Sequence, residues 1–189
     1  MGVDVGGRRK GFDVALVDGS SLVGLHSRRS CRQVVEIALD AAPAAIGIDS
    51  PAECAVAGEK SRPGERELAR EVCPIFFTPD EAQVRSGNPF YGWVVEGLAL
   101  YEALREALPG TPRTEVFPSA AWTAWAGPRN GRPKPRWSRE ALERAGIDGL
   151  PARCSQDARD ATGAALVAGL YSEGQTRDFG GIAVPLAGQ

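Results

Sequence analysis

The sequence has few of the residues that form zinc sites and disulfide frameworks. Its 189 residues include one histidine and four cysteines, and the cysteines, Cys31, Cys54, Cys73 and Cys154, form no Cys-x-x-Cys pair. A zinc site needs a closer set of sulfur and nitrogen ligands. We therefore expect no zinc site and reduced thiols, and we expect the lone histidine to have a structural role rather than to relay protons.

The sequence also lacks a long apolar run and a strong charge of either sign. A membrane helix requires about 18 uninterrupted apolar residues, and no stretch of this chain approaches that length. The first residues form an apolar strand pattern instead of a charged leader, so we expect a soluble, cytoplasmic protein with no membrane partner. The net charge of -2 argues against a global attraction to nucleic acid, so any such surface must be local.

The length and composition favour one α/β domain. A chain of 189 residues that is 43% hydrophobic can fill one core but is too short for two substantial α/β domains. We therefore predict a single domain over residues 1–189.

The order of the apolar patterns predicts a mixed sheet. Alternating runs at 2–6 and 12–17, and a third run at 22–25 after the Asp18-Gly19 turn, are typical of an antiparallel three-strand meander. Ser30 and Gln33 fit a capping box for a helix that Pro43 ends. The apolar strand at 44–48 is reached through that helix, so we expect it to lie parallel to an earlier strand.

The second half of the sequence adds helices and further strands. Residues 50–110 are predicted to be an irregular and helical insertion, with helical patterns at 65–72 and 93–108. A fifth strand is expected at 114–117, and residues 182–184 fit a closing strand. Ser155 fits the cap of a last helix that runs to about residue 172. The predicted fold is α/β, a mixed five-stranded sheet with an antiparallel meander plus parallel strands, flanked by helices.

A basic segment interrupts this pattern at residues 127–139. It has three prolines and no acidic residue, and we predict that it is a loop, with Ser138 as the cap of a short helix to Ala145. It contains five candidates for contact with a nucleic-acid backbone or for stacking on a base, namely Arg129, Arg132, Lys134, Arg136 and Trp137. A solvated loop without a partner is an equally good interpretation.

A second basic segment follows the first strand. Gly6 and Gly7 precede Arg8, Arg9 and Lys10, and backbone N–H groups of such a turn can bind a phosphate. A bare Gly-Gly turn is weak evidence on its own. We regard the three basic residues as secondary candidates for contact with nucleic acid.

Four aspartates are predicted to approach one another at one edge of the sheet. Asp4 lies in the first strand between two valines, and Asp49 ends the fourth strand, where the ligands of open α/β sheets gather. Asp157 and Asp160 are three residues apart at the start of the last helix, so they project from one face. A structural interpretation exists for three of them, since Asp4 could end an exposed edge strand, Asp49 could cap a turn, and the helix dipole favours a carboxylate at the position of Asp157.

Such a group of carboxylates points to a divalent cation. Buried carboxylates repel one another and raise each other's pKa values unless a cation compensates them. Oxygen-only ligands suit Mg²⁺ or Mn²⁺ better than zinc, and a pair of such ions about 4 Å apart is a known device for phosphodiester cleavage. Glu115, at the fifth strand, could serve as a further ligand, could support a ligand, or could form an ordinary strand-end salt bridge.

Four motifs resemble a known family. The stretches Gly2-Val-Asp-Val-Gly-Gly, Ile46-Gly-Ile-Asp-Ser-Pro, Glu115-Val-Phe-Pro-Ser-Ala and Asp157-Ala-Arg-Asp-Ala are similar, in this order, to the "domain of unknown function 429" family. The similarity covers nearly the whole chain. It implies a ribonuclease H-like fold and the activity of a nuclease that depends on a divalent metal.

The arrangement also resembles the Holliday-junction resolvases of the ribonuclease H-like superfamily. That resemblance implies catalytic and metal-binding roles for Asp4, Asp49, Asp157 and Asp160. The sequence departs from the resolvases in two ways, because they have a glutamate where Asp49 stands and lack the long insertion before the fifth strand. The shorter side chain of Asp49 puts one metal position in question.

Two other functions remain open. A non-catalytic ribonuclease H-like binding module could keep the fold without the chemistry. An actin-like nucleotide-binding protein could begin with the same Asp-x-Gly-Gly turn, but such proteins need two domains. The expected partner is nucleic acid, and the sequence leaves open whether this is DNA or RNA, and whether the protein forms a homodimer.

Overall fold

The computed structural model describes residues 1–186, so the last three residues of the predicted domain lie outside the described part. The strands of the described part are β1 (Gly2–Val5), β2 (Phe12–Asp18), β3 (Ser21–Arg29), β4 (Ile46–Asp49), β5 (Arg113–Val116), β6 (Thr176–Phe179) and β7 (Ile182–Pro185). Its helices are α1 (Cys31–Ala41), α2 (Pro63–Glu71), α3 (Glu81–Val84), α4 (Gly92–Ala107), α5 (Pro118–Ala126), α6 (Lys134–Arg144) and α7 (Gln156–Ser172), with a short 3-10 helix at Pro89–Tyr91.

The strands form one mixed sheet in the order β3-β2-β1-β4-β5-β7-β6. The first three strands are an antiparallel meander, and β1, β4, β5 and β7 are parallel neighbours. The mixed α/β sheet expected from the sequence, with an antiparallel meander and parallel strands, is confirmed. The strand number was wrong, because the described residues form seven strands instead of five. Only β6 had no sequence prediction, since its short Thr-Arg-Asp-Phe run has a weak apolar alternation.

Two helix starts agree with their capping signals. The Ser30 side chain accepts a hydrogen bond from the Gln33 N–H, and the Gln33 side chain accepts one from the Ser30 N–H. The Ser155 side chain accepts a hydrogen bond from the Ala158 N–H at the start of α7. These side chains satisfy N–H groups that a helix leaves unpaired at its first turn.

The start of α6 corrects the prediction for the basic segment. The helix begins at Lys134 rather than after Ser138, and Pro135 lies in its first turn, where the missing N–H of a proline costs no hydrogen bond. Ser138 is inside the helix and its hydroxyl donates to the carbonyl of Lys134. The predicted loop at 127–139 is therefore a loop followed by the first turns of a helix.

Glycines let α7 lie directly on the centre of the sheet. A Cβ atom added at Gly2 would lie 2.1 Å from the Ala161 carbonyl oxygen, and one added at Gly47 would lie 2.2 Å from the Ala164 carbonyl oxygen. The backbones of β1 and β4 thus touch the backbone of α7, and only glycine permits this approach. The close contact brings the first turns of α7 to the carboxyl ends of β1 and β4.

Among the residues that the structure describes, no helix is both long and apolar enough to cross a membrane.

Candidate metal centre

Strand register places Asp4 beside Asp49. The two residues are paired neighbours on the parallel strands β1 and β4, and the side chains of laterally paired residues lie on the same face of a sheet. Val3 and Val5 alternate with Asp4 and pack into a hydrophobic core on the other face. The alternation of apolar and acidic residues in β1 therefore directs this carboxylate away from that core.

The last helix supplies a third carboxylate. One oxygen each from Asp4, Asp49 and Asp160 lies within 4.8 Å of the other two. Asp4 and Asp160 are buried, and Asp49 is half-buried. Asp157, one helical turn before Asp160, lies outside this group of three.

The pKa values of the three carboxyl groups are raised. For Asp4 the pKa rises to about 7, chiefly because burial disfavours the charged form; the nearby charges of Asp160 and Asp157 add to the rise, and Lys10 opposes it. Burial also raises the pKa of Asp49 well above its ordinary value, with further rises from Asp4 and Asp160. Burial raises the pKa of Asp160 as well, against the lowering effect of Lys134. Burial is the chief cause of all three rises, and the charges of neighbouring carboxylates add to them.

Two lysines contact these carboxylates. The Lys10 Nζ lies 2.8 Å from Oδ1 of Asp157 and 3.4 Å from Oδ2 of Asp4. The Lys134 Nζ donates to Oδ2 of Asp160 at 2.9 Å. The sequence predicts nucleic-acid contact for both lysines, whereas in the structure their ammonium groups face the aspartates.

A further polar group fixes the orientation of Asp160. The Gln156 side-chain amide donates to Oδ1 of Asp160 at 2.8 Å. Gln156 is not among the site residues predicted from the sequence. Its position one helical turn before Asp160 places the two side chains next to each other on the helix, and this spacing is visible in the sequence.

Glu115 belongs to a separate buried ion network. Its two carboxylate oxygens accept hydrogen bonds from Arg62 at 2.6 and 2.7 Å, and one also accepts from the Ala52 N–H. Arg62 in turn pairs with the buried Glu65. Burial raises the pKa of Glu115, and Arg62 lowers it by a smaller amount. Of the three roles considered for Glu115, the structure supports the salt bridge, and its partner Arg62 had no signal in the sequence.

A family model described as "Protein of unknown function (DUF429)" matches residues 2–181 of the sequence. The chain belongs to the DUF429 family. No curated protein matches the sequence.

Two solved structures are similar to this DUF429 chain. One is "Thermus thermophilus RuvC structure", with 16% identity, a TM-score of 0.48 and coverage of 98% of each chain. The other is "T. thermophilus RuvC in complex with Holliday junction substrate", with 20% identity, a TM-score of 0.49 and coverage of 98% of this chain and 97% of that one.

The structure corrects one expectation for the basic segment of this DUF429 chain. Trp137 is 4% exposed and belongs to a hydrophobic core cluster, and its Nε1 donates to the Gly127 carbonyl. It therefore cannot stack on a base, and it anchors the loop instead. Arg132 is also occupied, by a 2.7 Å salt bridge to Glu140 and by backbone carbonyls of the loop.

The remaining basic candidates are exposed. Arg129 and Arg136 lie on the surface on either side of Lys134 in the sequence, and Arg8 and Arg9 lie on the surface just before Lys10. Since both lysines contact the aspartates, these arginines lie on segments that border the carboxylate group.

The three carboxylates of the DUF429 chain fit a hard divalent ion. They offer oxygen atoms only, from three rigid elements, at a separation that one cation can span. Burial and the charges of neighbouring aspartates raise their pKa values, and a bound cation would favour their ionised form. Mg²⁺ or Mn²⁺ suits such a site better than zinc does, because zinc sites commonly include sulfur or nitrogen.

Proposed function

We propose that the protein is a divalent-metal-dependent nuclease that hydrolyses phosphodiester bonds of nucleic acid. The observation that carries the proposal is the meeting of the Asp4, Asp49 and Asp160 carboxylates within 4.8 Å at the carboxyl ends of two neighbouring strands. Two of these carboxylates are buried, and a bound cation would stabilise their ionised form against burial and mutual repulsion.

The proposed roles follow from the contacts of each side chain. Asp4, Asp49 and Asp160 would hold Mg²⁺ or Mn²⁺, which would supply Lewis acidity and a nucleophilic water at neutral pH. Gln156 positions Asp160 through its 2.8 Å hydrogen bond. Asp157, which is bound to Lys10, stands next to this group as an outer carboxylate.

The substrate class is inferred from the charge around the site. The protein has a net charge of -2, yet exposed arginines lie on the two segments whose lysines contact the aspartates, Arg8 and Arg9 on one and Arg129 and Arg136 on the other. Arginine forms paired hydrogen bonds with phosphate oxygens. Exposed arginines on both segments favour a substrate with repeated phosphates, so we propose nucleic acid rather than a single nucleotide.

The test is a cleavage assay on labelled single strands, duplexes, RNA–DNA hybrids and branched junctions, with and without Mg²⁺ or Mn²⁺. We expect metal-dependent cleavage of at least one substrate and a loss of roughly 100-fold or more in Asp4→Asn, by analogy with the loss of other groups that stabilise a transition state. The matched control is Asp13→Asn, because Asp13 is also buried and is the paired neighbour of Asp4 on β2. Asp13 accepts from the Arg28 N–H, which an asparagine oxygen can also do.

Two results would separate the alternatives. Metal binding without cleavage of any substrate would favour a non-catalytic binding module. Cleavage that Asp4→Asn leaves intact would show that the activity arises from a contaminant or from another site, and the proposal would then be wrong.

A further inference from the structure

We infer that Lys10 takes the place of a second metal ion, so that the protein binds one divalent cation with Asp4, Asp49 and Asp160 and uses the Lys10 ammonium group between Asp4 and Asp157. This inference rests on the proposed function, because it concerns the same carboxylates. It replaces the pair of ions that the sequence suggested with one ion and one built-in cation.

The carboxylates divide into two sets that share one member. Asp4, Asp49 and Asp160 form the set whose oxygens approach within 4.8 Å. Asp4 and Asp157 form the other set, because both contact the same Lys10 nitrogen, at 3.4 Å and 2.8 Å. A shared carboxylate between two cation positions is the arrangement expected of a two-ion site. Here an ammonium group occupies one of the two positions.

The backbone of the loop at 6–11 holds Lys10 in this place. The Gly7 carbonyl accepts hydrogen bonds from the N–H groups of Lys10 and Gly11, and the Gly6 N–H donates to the Gly11 carbonyl. Gly11 has a φ of 74°, which favours glycine. These contacts close the loop over the end of β1.

The stem of Lys10 is also fitted to the loop. A Cβ atom added at Gly6 would lie 2.8 Å from both Cβ and Cδ of Lys10, so the side chain lies across the bare backbone of Gly6. The side chain is 49% exposed. Its aliphatic part contacts Gly6, and its ammonium group contacts Asp4 and Asp157. The ammonium group is therefore positioned by the loop rather than free in solvent.

Lys134 does not play the same part. Its ammonium group contacts Oδ2 of Asp160, a member of the set of three, and we find no contact to Asp157 among the described ion pairs. Lys134 therefore borders the first cation position. It cannot account for the separate pairing of Asp157 with Asp4.

The balance of charge also favours one ion. Four ionised aspartates are compensated by the two ammonium groups of Lys10 and Lys134 together with one divalent ion. A second divalent ion beside Lys10 would add positive charge where no further carboxylate of the site is available. The ion and the Lys10 ammonium group would then repel each other. Removal of the Lys10 charge would leave Asp4 and Asp157 able to take up a second ion.

The test measures how many Mn²⁺ ions the full chain binds without nucleic acid, by electron paramagnetic resonance of free Mn²⁺ and by titration calorimetry. We expect one ion for the wild type and two for Lys10→Met. The matched control is Lys60→Met, at an exposed lysine of the insertion, which should bind one ion.

The double variant Lys10→Met with Asp157→Asn should again bind one ion, because the second cation position has then lost a carboxylate. Circular dichroism checks that each variant is folded, and Lys10→Gln provides a second neutral variant.

The outcomes distinguish this inference from the proposed function. Two ions in the wild type, or one ion in both folded neutral Lys10 variants, would overturn the role of Lys10 and leave the metal site intact. No Mn²⁺ binding in the wild type would overturn the role of Lys10 and the metal-dependent nuclease together.

Discussion

Single residues of the acidic centre show a conflict between stability and metal binding. Asp49 is the strongest case, because burial and the charges of Asp4 and Asp160 raise its pKa well above the ordinary value. In the unfolded chain the same carboxyl group is ionised and hydrated at neutral pH. Folding without a metal ion therefore has to overcome the unfavourable placement of this group, as is common at functional sites.

We expect Asp49→Asn to stabilise the metal-free protein and to abolish tight Mn²⁺ binding. Each kcal/mol gained raises the melting temperature of a chain of this size by about 2–4 °C, and we expect a rise of at least that amount at neutral pH. Calorimetric melting in EDTA measures it. Asp13→Asn is the control, because Asp13 accepts a backbone hydrogen bond, and its melting temperature should not rise. An equal or lower melting temperature for Asp49→Asn would show that this carboxylate is already compensated.

The aspartates of the site were more predictable from the sequence than the long-range contacts of the other candidate residues. Asp4, Asp49 and Asp160 stand at strand and helix positions that the apolar pattern identifies, so their approach could be predicted. The pairing of Arg62 with Glu115 joins residues that are 53 positions apart, and nothing in the local pattern links them. The burial of Trp137 was missed because an aromatic residue in a basic segment suits a core and a stacking surface equally.

At the scale of elements, the buried ion network of Arg62 joins the insertion to the sheet. Arg62 directly precedes α2, its backbone N–H donates to Glu65 of α2, and its guanidinium group pairs with both Glu65 and Glu115 of β5. Glu65 also accepts from the Thr78 N–H. Two buried carboxylates in one network need their shared guanidinium group, because an unpaired buried charge is costly.

We expect Arg62→Met to destabilise the protein by about 3–5 kcal/mol, the usual cost of leaving buried charges without a partner. Urea denaturation monitored by tryptophan fluorescence measures the change. Arg105→Met is the matched control, because Arg105 pairs with Glu102 on the exposed face of α4, and an exposed pair contributes little. A similar stability of the two variants would contradict the structural role of the network.

The contact of α7 with β1 and β4 predicts that a glycine outside the carboxylate group controls metal affinity. We expect Gly47→Ala to weaken Mn²⁺ binding about tenfold or more, because its new Cβ would lie 2.2 Å from the Ala164 carbonyl oxygen and a shift of about 1 Å is costly at a site. The helix would move, and Asp160 with it. Titration calorimetry measures the affinity.

The control for this prediction lies on the same helix. Gly169 has open space around a Cβ atom, so Gly169→Ala should leave Mn²⁺ affinity unchanged and should stabilise the helix by roughly 0.5–1 kcal/mol. Unchanged affinity in Gly47→Ala would mean that the carboxylates adapt to a displaced helix.

Elements with strong local signals were predictable, and elements defined by their neighbours were not. The capping residues Ser30 and Ser155 identified the starts of α1 and α7. The start of α6 was misplaced because Pro133 and Pro135 suggest a loop, although a proline is equally suited to the first turn of a helix. The strand β6 forms because it pairs with β7, and such a pairing is not visible in a four-residue pattern.

At the scale of the whole molecule, segments far apart in the sequence meet at one edge of the sheet. The end of β1, the loop at 6–11, the end of β4 and the starts of α6 and α7 all bring charged groups to the carboxyl ends of the parallel strands, as their contacts with Asp4 and Asp160 show. This is the edge at which open α/β sheets bind ligands. Because so many charges share this edge, we expect the stability of the whole fold to depend on pH and, if the proposed function is correct, on a bound divalent ion.

The sign of this dependence follows from the raised pKa of Asp4, which is about 7 instead of the ordinary 3.8. Between these two values the folded, metal-free protein holds a proton that the unfolded chain has released, so the contribution of Asp4 to the unfolding free energy falls as pH rises and levels off above about pH 7. A divalent ion needs ionised carboxylates and therefore binds more tightly as pH rises.

We expect added Mn²⁺ to raise the melting temperature much more at about pH 8 than at about pH 5, because protons compete with the ion for Asp4 and its neighbours at the lower pH. Differential scanning calorimetry at both pH values, with Mn²⁺ and with EDTA, measures the increment. In Asp4→Asn the rise in melting temperature on addition of Mn²⁺ should be small at both pH values, because the carboxylate that binds either the proton or the ion is gone. An increment in the wild type that is equal at the two pH values would mean that the ion binds elsewhere on the surface.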